Sequence, residues 1–520
     1  MNALLSTLAS VSKGRRRFVL VALIASGVSS SVVAFPPTDG DLDSTFGTTG
    51  SGYTIVDFGN GSNGHQDGAH RLLRQPDGKF VAVGSVDNGY GFQAIGLARI
   101  NNNGQIDTSF GDIATPGRSI TTGASSVDYT GSGIALLPSG RLIVAGTIGI
   151  SSSHGTLIAF PADGGTSVWN VQGVVGSAYN DVLALPDGRL LVGGATPGSL
   201  FPSSNDFSLV LHDNVGNVVD QITVGFDLGG SDNDSVQRIA FVPAVAADRL
   251  GYVYAIGSVA LPDYASGHHN IECGVVKAGL YSAAPRLRLE PSFGTANSGK
   301  LVLDINSGWA AGRSDSIDGN AYCRGLAVRK DGGLLITGER YYFGTDNQQP
   351  TADSSVGFAA KIDANGLPDA AFHNASFNGG NSTFGGGFSF YWQSTISGGG
   401  GLYEGFWFSL TQYNGQPLFG GLAELVCDSS NPGHQANRSW VLRTSASGAV
   451  DTTYTQYFCD LPRSSTDTGF DVALDGVFDN GGVVTVGNVF SSSSPGSATD
   501  FIFMRRYGDL IFTDNFDPGY

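Results

Sequence analysis

Several stretches of this chain carry residue types that could do chemistry. The stretch GTANSGKL at 294–301 places Gly294, Gly299 and Lys300 at the spacing of a phosphate-cradling loop, but Leu301 stands where such a loop needs a metal-binding Ser or Thr. It also aligns with GTTGSGYT at 47–54, so its glycines read as those of a turn before a strand, with no helix to aim its amino end at a phosphate. Asp39, Asp41 and Asp43 alternate as at the start of a calcium loop, yet the sixth position is not Gly and the twelfth is Gly50; Asp232 and Asp234 form a similar pair. Solvated turn acids are the simpler reading, and calcium is the one cofactor left open. His268, His269 and Glu272 are metal-ligand types, but neighbours on a strand point to opposite faces and no HExxH accompanies them. There is no GxSxG elbow, and no residue is assigned a catalytic role. A triad spread over distant segments leaves no local signature, so this silence excludes little.

Aromatic residues crowd into the glycine-rich text at 377–410. Flat ring faces there could stack on sugars or bases, which makes Tyr391, Trp392 and Trp407 the candidate binding residues. The competing reading is that these rings pack between structural units.

The elements that would position such residues repeat. RQPDGKFVAVGS at 74–85 returns as ALPDGRLLVGGA at 184–195 and VRKDGGLLITGE at 328–339. The hinge at 76–78 pairs a Pro that presets φ with Asp and a Gly that accepts positive φ. It recurs at 137–141, 185–189 and 330–333, and in worn form at 246–251, 413–416 and 478–482, giving seven hinges. Short alternating or wholly apolar runs between turn residues read as strands, four to a unit of about sixty residues. A second mark pairs an acid (Asp43, Asp107, Glu290, Asp369, Asp451) with an aromatic three places on (Phe46, Phe110, Phe293, Phe372, Tyr454). The acid can accept hydrogen bonds from turn amides and the ring can wedge between sheets. The third and fourth units lack this mark.

The two marks together resemble the delta-60 repeat, a family of units found in secreted or surface-associated bacterial proteins, and the likeness runs from 40 to 507. The resemblance implies β-propeller blades and an exported setting, and no reaction. Physical reasoning leads to the same place, because a lone four-stranded sheet cannot cover both faces and does so by packing on its copies. The expected fold is all-β, a seven-bladed β-propeller of four-stranded antiparallel blades over residues 35–508, with an open solenoid-like stack as the alternative. Residues 52–58 are expected to complete the last blade beside 501–506, closing the ring.

Residues 1–34 read as a signal peptide: Lys13, Arg15, Arg16 and Arg17 precede an apolar run, and Val32 and Ala34 suit a cleavage site. Arg15 and Arg16 also resemble a twin-arginine pair, with a Sec signal the simpler reading. The tail at 509–520 resembles an IFxDGFE ending of exported proteins, or an added edge strand. Without the leader 24 basic residues face 45 acidic ones, a net charge of −21, which opposes binding to nucleic acid or anionic lipid. Four cysteines in an oxidising setting allow three pairings. Cys273 with Cys323 and Cys427 with Cys459 are expected, each pair falling on consecutive units. The expected function is an exported, monomeric, non-catalytic propeller that binds a glycan or envelope component without membrane insertion. The rivals are a secreted polysaccharide hydrolase or lyase with acids at the channel mouth, and a purely structural surface protein.

Overall fold

Runs of Val, Ile, Leu, Ala and Phe punctuated by Gly, Asp and Asn form strands along the described chain, with a three-residue 3-10 turn at Thr295–Asn297. The computed structural model describes residues 39–508 apart from internal stretches, the longest being 306–318, 343–353, 374–386, 392–403 and 455–470. The leader at 1–34, the tail at 509–520, Trp392, Cys427 and Cys459 lie outside the described residues.

The strands build seven antiparallel sheets, all but the last of them meanders in chain order. Blade 1 runs from the innermost strand Gly68–Arg74 through Phe80–Asp87 and Gln93–Ile100 to the outermost Arg118–Ile120. The innermost strands of blades 2 to 7 are Tyr129–Leu136, Ala178–Ala184, Ser235–Ala246, Gly319–Val328, Gly405–Thr411 and Asp471–Asp479. Each innermost strand touches the next, and the seventh touches the first, so the sheets close into a ring. Blade 4 splits its outer strand into Leu287–Leu289 and Lys300–Leu303, both paired to one partner. Blade 6 shows three strands among the described residues.

Closure follows the expected route: Tyr53–Val56 is the outermost strand of blade 7, with Tyr53 opposite Met504 and Val56 opposite Phe501. The first and last described strands thus share one sheet, and the ring cannot open without breaking that ladder.

Blades cover one another's faces. Seven apolar clusters each draw on two neighbouring blades; the one between blades 1 and 2, for example, unites Val81, Val83 and Leu97 with Leu142, Val144 and Ile158. The Cys273–Cys323 disulfide crosses one such junction, joining the third strand of blade 4 to the innermost strand of blade 5.

The hinge is a reverse turn ending in a left-handed glycine: Gly78 donates to Gln75 O, Gln75 donates to Lys79 O, and Gly78 has φ of 82°. The second mark is a staple. Asp107 Oδ1 accepts hydrogen bonds from the amide and hydroxyl of Ser109, its Oδ2 pairs with Arg99 Nε at 2.8 Å, and the Arg99 guanidinium lies 4.5 Å above the Phe110 ring. Phe110 is buried in the core shared with blade 2, beneath Gly164 of that blade's turn, where a side chain would meet the ring. The arrangement recurs with Asp43, Arg505 and Phe46, with Asp369, Lys361 and Phe372, and with Asp451, Arg443 and Tyr454. The basic residue from the third strand is a further mark of the repeat.

GTANSGKL is also a turn before a strand: Lys300 opens Lys300–Leu303 and its Nζ donates to Gly225 O at 2.7 Å.

Candidate functional site: the central channel

Every innermost strand carries a β-bulge at the same place, falling between Ala69 and Arg71, Gly131 and Gly133, Tyr179 and Asp181, Val236 and Arg238, Cys323 and Gly325, Phe406 and Phe408, and Ala473 and Asp475. The neighbouring strand answers with glycine each time: a Cβ on Gly84, Gly146, Gly194, Gly257, Gly338, Gly421 or Gly487 would lie 1.6–1.9 Å from an innermost-strand carbonyl oxygen. This close approach explains the glycine inside each copy of the repeated dodecamer. A bulge re-aims the side chains beside it, and in four blades the residue after it is charged.

Those four charges cross-brace the ring. Asp475 of blade 7 accepts the Leu72 amide of blade 1 through Oδ2 at 2.8 Å and pairs through Oδ1 with Arg238 of blade 4 at 2.9 Å. Asp181 of blade 3 does the counterpart, accepting the Ile239 amide of blade 4 at 3.0 Å and lying 3.9 Å from Arg71 Nε of blade 1. Arg71 also donates to Gln237 O of blade 4, and Arg238 to Arg324 O of blade 5. Burial, reinforced by the nearby charge of Arg238, lowers the Arg71 guanidinium to about 10, so it stays charged at neutral pH. Burial pushes the Asp181 carboxyl up, against the pull of Arg71 and Arg238. Next to this brace in the chain, His70 Nδ1 contacts Gly131 O at 2.7 Å and Asn180 donates to Val236 O at 2.7 Å, each bulge residue reaching the next blade. Two positive and two negative charges thus face one another, with Asp475 and Arg238 in direct contact and Arg71 at longer range from Asp181. Each oxygen of Asp475 and Asp181 faces a backbone amide or a guanidinium.

A second polar group lies where blades 5 and 6 meet. Arg324 Nη2 pairs with Glu339 Oε1 at 2.8 Å, and Tyr341 donates to Glu339 Oε2 at 3.4 Å. Tyr322 meets Tyr341 edge to face at 5.8 Å. Burial, then the Glu339 charge, raises the Tyr341 hydroxyl well above its ordinary range. Trp407, half-buried at the bulge of blade 6, approaches this group beside Gly405. Of the candidate binding residues, Trp407 therefore lies at the channel. Tyr391 is fully buried between blades 5 and 6, its ring against Phe406 and Phe419 and its hydroxyl donating to Gly448 O at 2.8 Å.

Among the described residues Asp57, Asp67 and Asp500 form the group whose oxygens lie within 4.8 Å of one another, a donor set suited to a hard cation. The acids of 39–44 are spent elsewhere: Asp39 pairs with Arg443 and Asp43 with Thr45 and Arg505. Glu272 is buried and accepts the Ile305 amide, while the side chains of His268 and His269 lie outside the described residues.

The comparisons with known proteins meet this geometry at the repeat. A family model described as "Domain of unknown function (DUF5122) beta-propeller" matches residues 75–110, which span the hinge, two strands and the staple of blade 1. That match supports a propeller-repeat family. No curated protein matches. Among solved structures the chain is similar to the polysaccharide lyase Uly1, at 10% identity and a TM-score of 0.44 over 85% of this chain and 90% of that one. It is similar to the β-propeller domain of the Trilobed protease of Pyrococcus furiosus, at 8% identity and a TM-score of 0.36 over 88% and 100%. Extracellular domains 1–2 of Drosophila Semaphorin 1a match at 12% identity and a TM-score of 0.39 over 89% and 88%.

Sequence reasoning missed the brace. Its signal was present: Arg71 and Asp181 each stand seven places before a hinge glycine, in the middle of an otherwise mostly apolar strand.

Proposed function

We propose that this chain is an exported, non-catalytic propeller of the delta-60 kind that binds a glycan or envelope component through surface presented by a rigid ring. The observation that carries this reading is the brace: Asp475 and Asp181, two acids of the innermost strands, are engaged in holding blades 1, 3, 4 and 7 together. The disulfide suits an oxidising compartment, and residues 1–34 are read as the cleaved leader that directs export. Among the described residues no helix is long and apolar enough to cross a membrane.

The alternative of a polysaccharide hydrolase or lyase is favoured by one feature, the Tyr341, Glu339 and Arg324 group beside Trp407. The test is to incubate the purified protein with a panel of neutral and acidic glycans and envelope extracts, scoring retention and product release together. Retention without product supports the binding reading, and Trp407→Ala then weakens retention without lowering the melting temperature. Product release that disappears in Tyr341→Phe establishes the enzyme instead. Neither retention nor product from any ligand removes both readings and leaves a structural role.

A further inference from the structure

The outer strands of blades 2 and 3 differ from the rest. Trp169–Val175 and Val218–Val224 are seven residues long, whereas the described outer strands of blades 1, 4, 5 and 7 have three or four. Among the described residues each pairs on one side only, leaving the other edge of its backbone without a strand. Six of the nine exposed large apolar side chains among the described residues lie here: Val168, Val174, Val175, Val215, Val218 and Val219, with Val174 61% and Val218 58% exposed. The two strands form one surface, because Gly216 in the turn before Val218 sits against Trp169 and Val171. A long, exposed, apolar edge is what soluble proteins otherwise blunt with charge, proline or brevity.

Charge selects the occupant. Residues 165–177 contain no charged side chain in a chain of net charge −17, so this is a neutral window in an acidic surface. The nearby acids of blade 3 lie outside this stretch, Asp213 held by Asn217 and Asp220 by the amides of Arg286 and Leu287. A second acidic copy meets no like charge from this stretch when its own 165–177 lies opposite. An edge strand is also complementary to itself when antiparallel, since the same donors and acceptors meet across a two-fold axis. We propose that two copies of this chain associate here, pairing the Trp169–Val175 strands antiparallel across that axis. The association is independent of what the channel binds.

Sedimentation and light scattering of the purified full chain over a range of concentrations test this. The wild type reaches twice the monomer mass, while the Val174→Lys/Val218→Lys double variant remains monomeric with an unchanged melting temperature, both sites being exposed. Gln172→Cys, at the centre of the strand, forms an interchain disulfide on oxidation, because directly opposed residues bring their Cβ atoms to about 5 Å. Tyr90→Cys, 73% exposed on blade 1, does not. A wild type monomeric at every soluble concentration overturns the proposal, as does a dimer that survives the lysine pair or that cross-links through Tyr90→Cys but not Gln172→Cys.

Discussion

Blades 1 and 2 begin alike and end differently. Both run a bulged innermost strand into a glycine hinge and two apolar central strands. Blade 1 then folds Asp107, Ser109 and Phe110 into a staple and leaves an outer strand of only three residues, Arg118–Ile120. Blade 2 turns tightly at Gly164 and continues into seven residues of outer strand. The staple therefore does two things at once: its ring fills the gap to the next blade, and its loop uses up chain that would otherwise extend the edge. Where it is missing, Trp169 and Val171 contact the turn of the next blade in its place, and the edge is left long and bare.

The comparison can be broken at its strongest point first. Deleting the chain before residue 60 removes both the closing strand and the blade 7 staple built on Asp43 and Phe46. A large fall in melting temperature is expected, and an unchanged midpoint would refute closure by that strand. Next, Phe110→Ala should cost about 3–5 kcal/mol in denaturant unfolding, whereas Val218→Ala on an unstapled edge should stay within about 0.5 kcal/mol. Similar losses at the two sites would erase the distinction drawn here. Asp475→Ala strands Arg238 in the channel and should also cost about 3–5 kcal/mol, with much of that loss recovered when Arg238 is replaced by Met as well.

The smallest effects are read from pH. At the staple, burial alone would raise the Asp107 carboxyl, but Ser109, Lys79 and Arg99 outweigh it and hold the folded group below its ordinary value. That stabilisation is present above the unfolded value near 4 and is lost as pH falls through the folded one. Asp107→Asn should therefore lose most, relative to wild type, at neutral pH and least in acid. At the junction of blades 3 and 4, burial raises Asp234 to about 6, helped by the charges of Asp206 and Asp227. The sign reverses: its carboxyl is tolerated when protonated and becomes a cost as pH rises from about 4 to 6. Asp234→Asn should gain on wild type across that interval, and a flat difference in melting temperature would contradict the assignment.

The fold was legible because its determinants are local. A hinge glycine at 78, 140, 188 or 332 declares a positive φ within its own few residues, and the Asp107 to Phe110 spacing is complete inside one turn. The recurrent second-strand glycine was equally visible, but its reason was not, since Gly84 faces a carbonyl of another strand. The candidate site was legible in part. Trp407 lies at the channel, whereas Tyr391 belongs to the packing between blades, and a ring in glycine-rich text carries no mark that separates the two.

Repetition, turn chemistry and apolar alternation in the sequence determined that four-stranded units would form and need neighbours, and the offset of the first strand determined how the ends would meet. Which charges would face one another was decided only in three dimensions. Asp475 finds Arg238, and Asp181 finds Arg71, because closing a seven-membered ring brings non-adjacent blades within reach of a long side chain. Local patterns are set by bonds along the chain, while a contact across a channel depends on the number of blades and the angle between them, which no single repeat encodes.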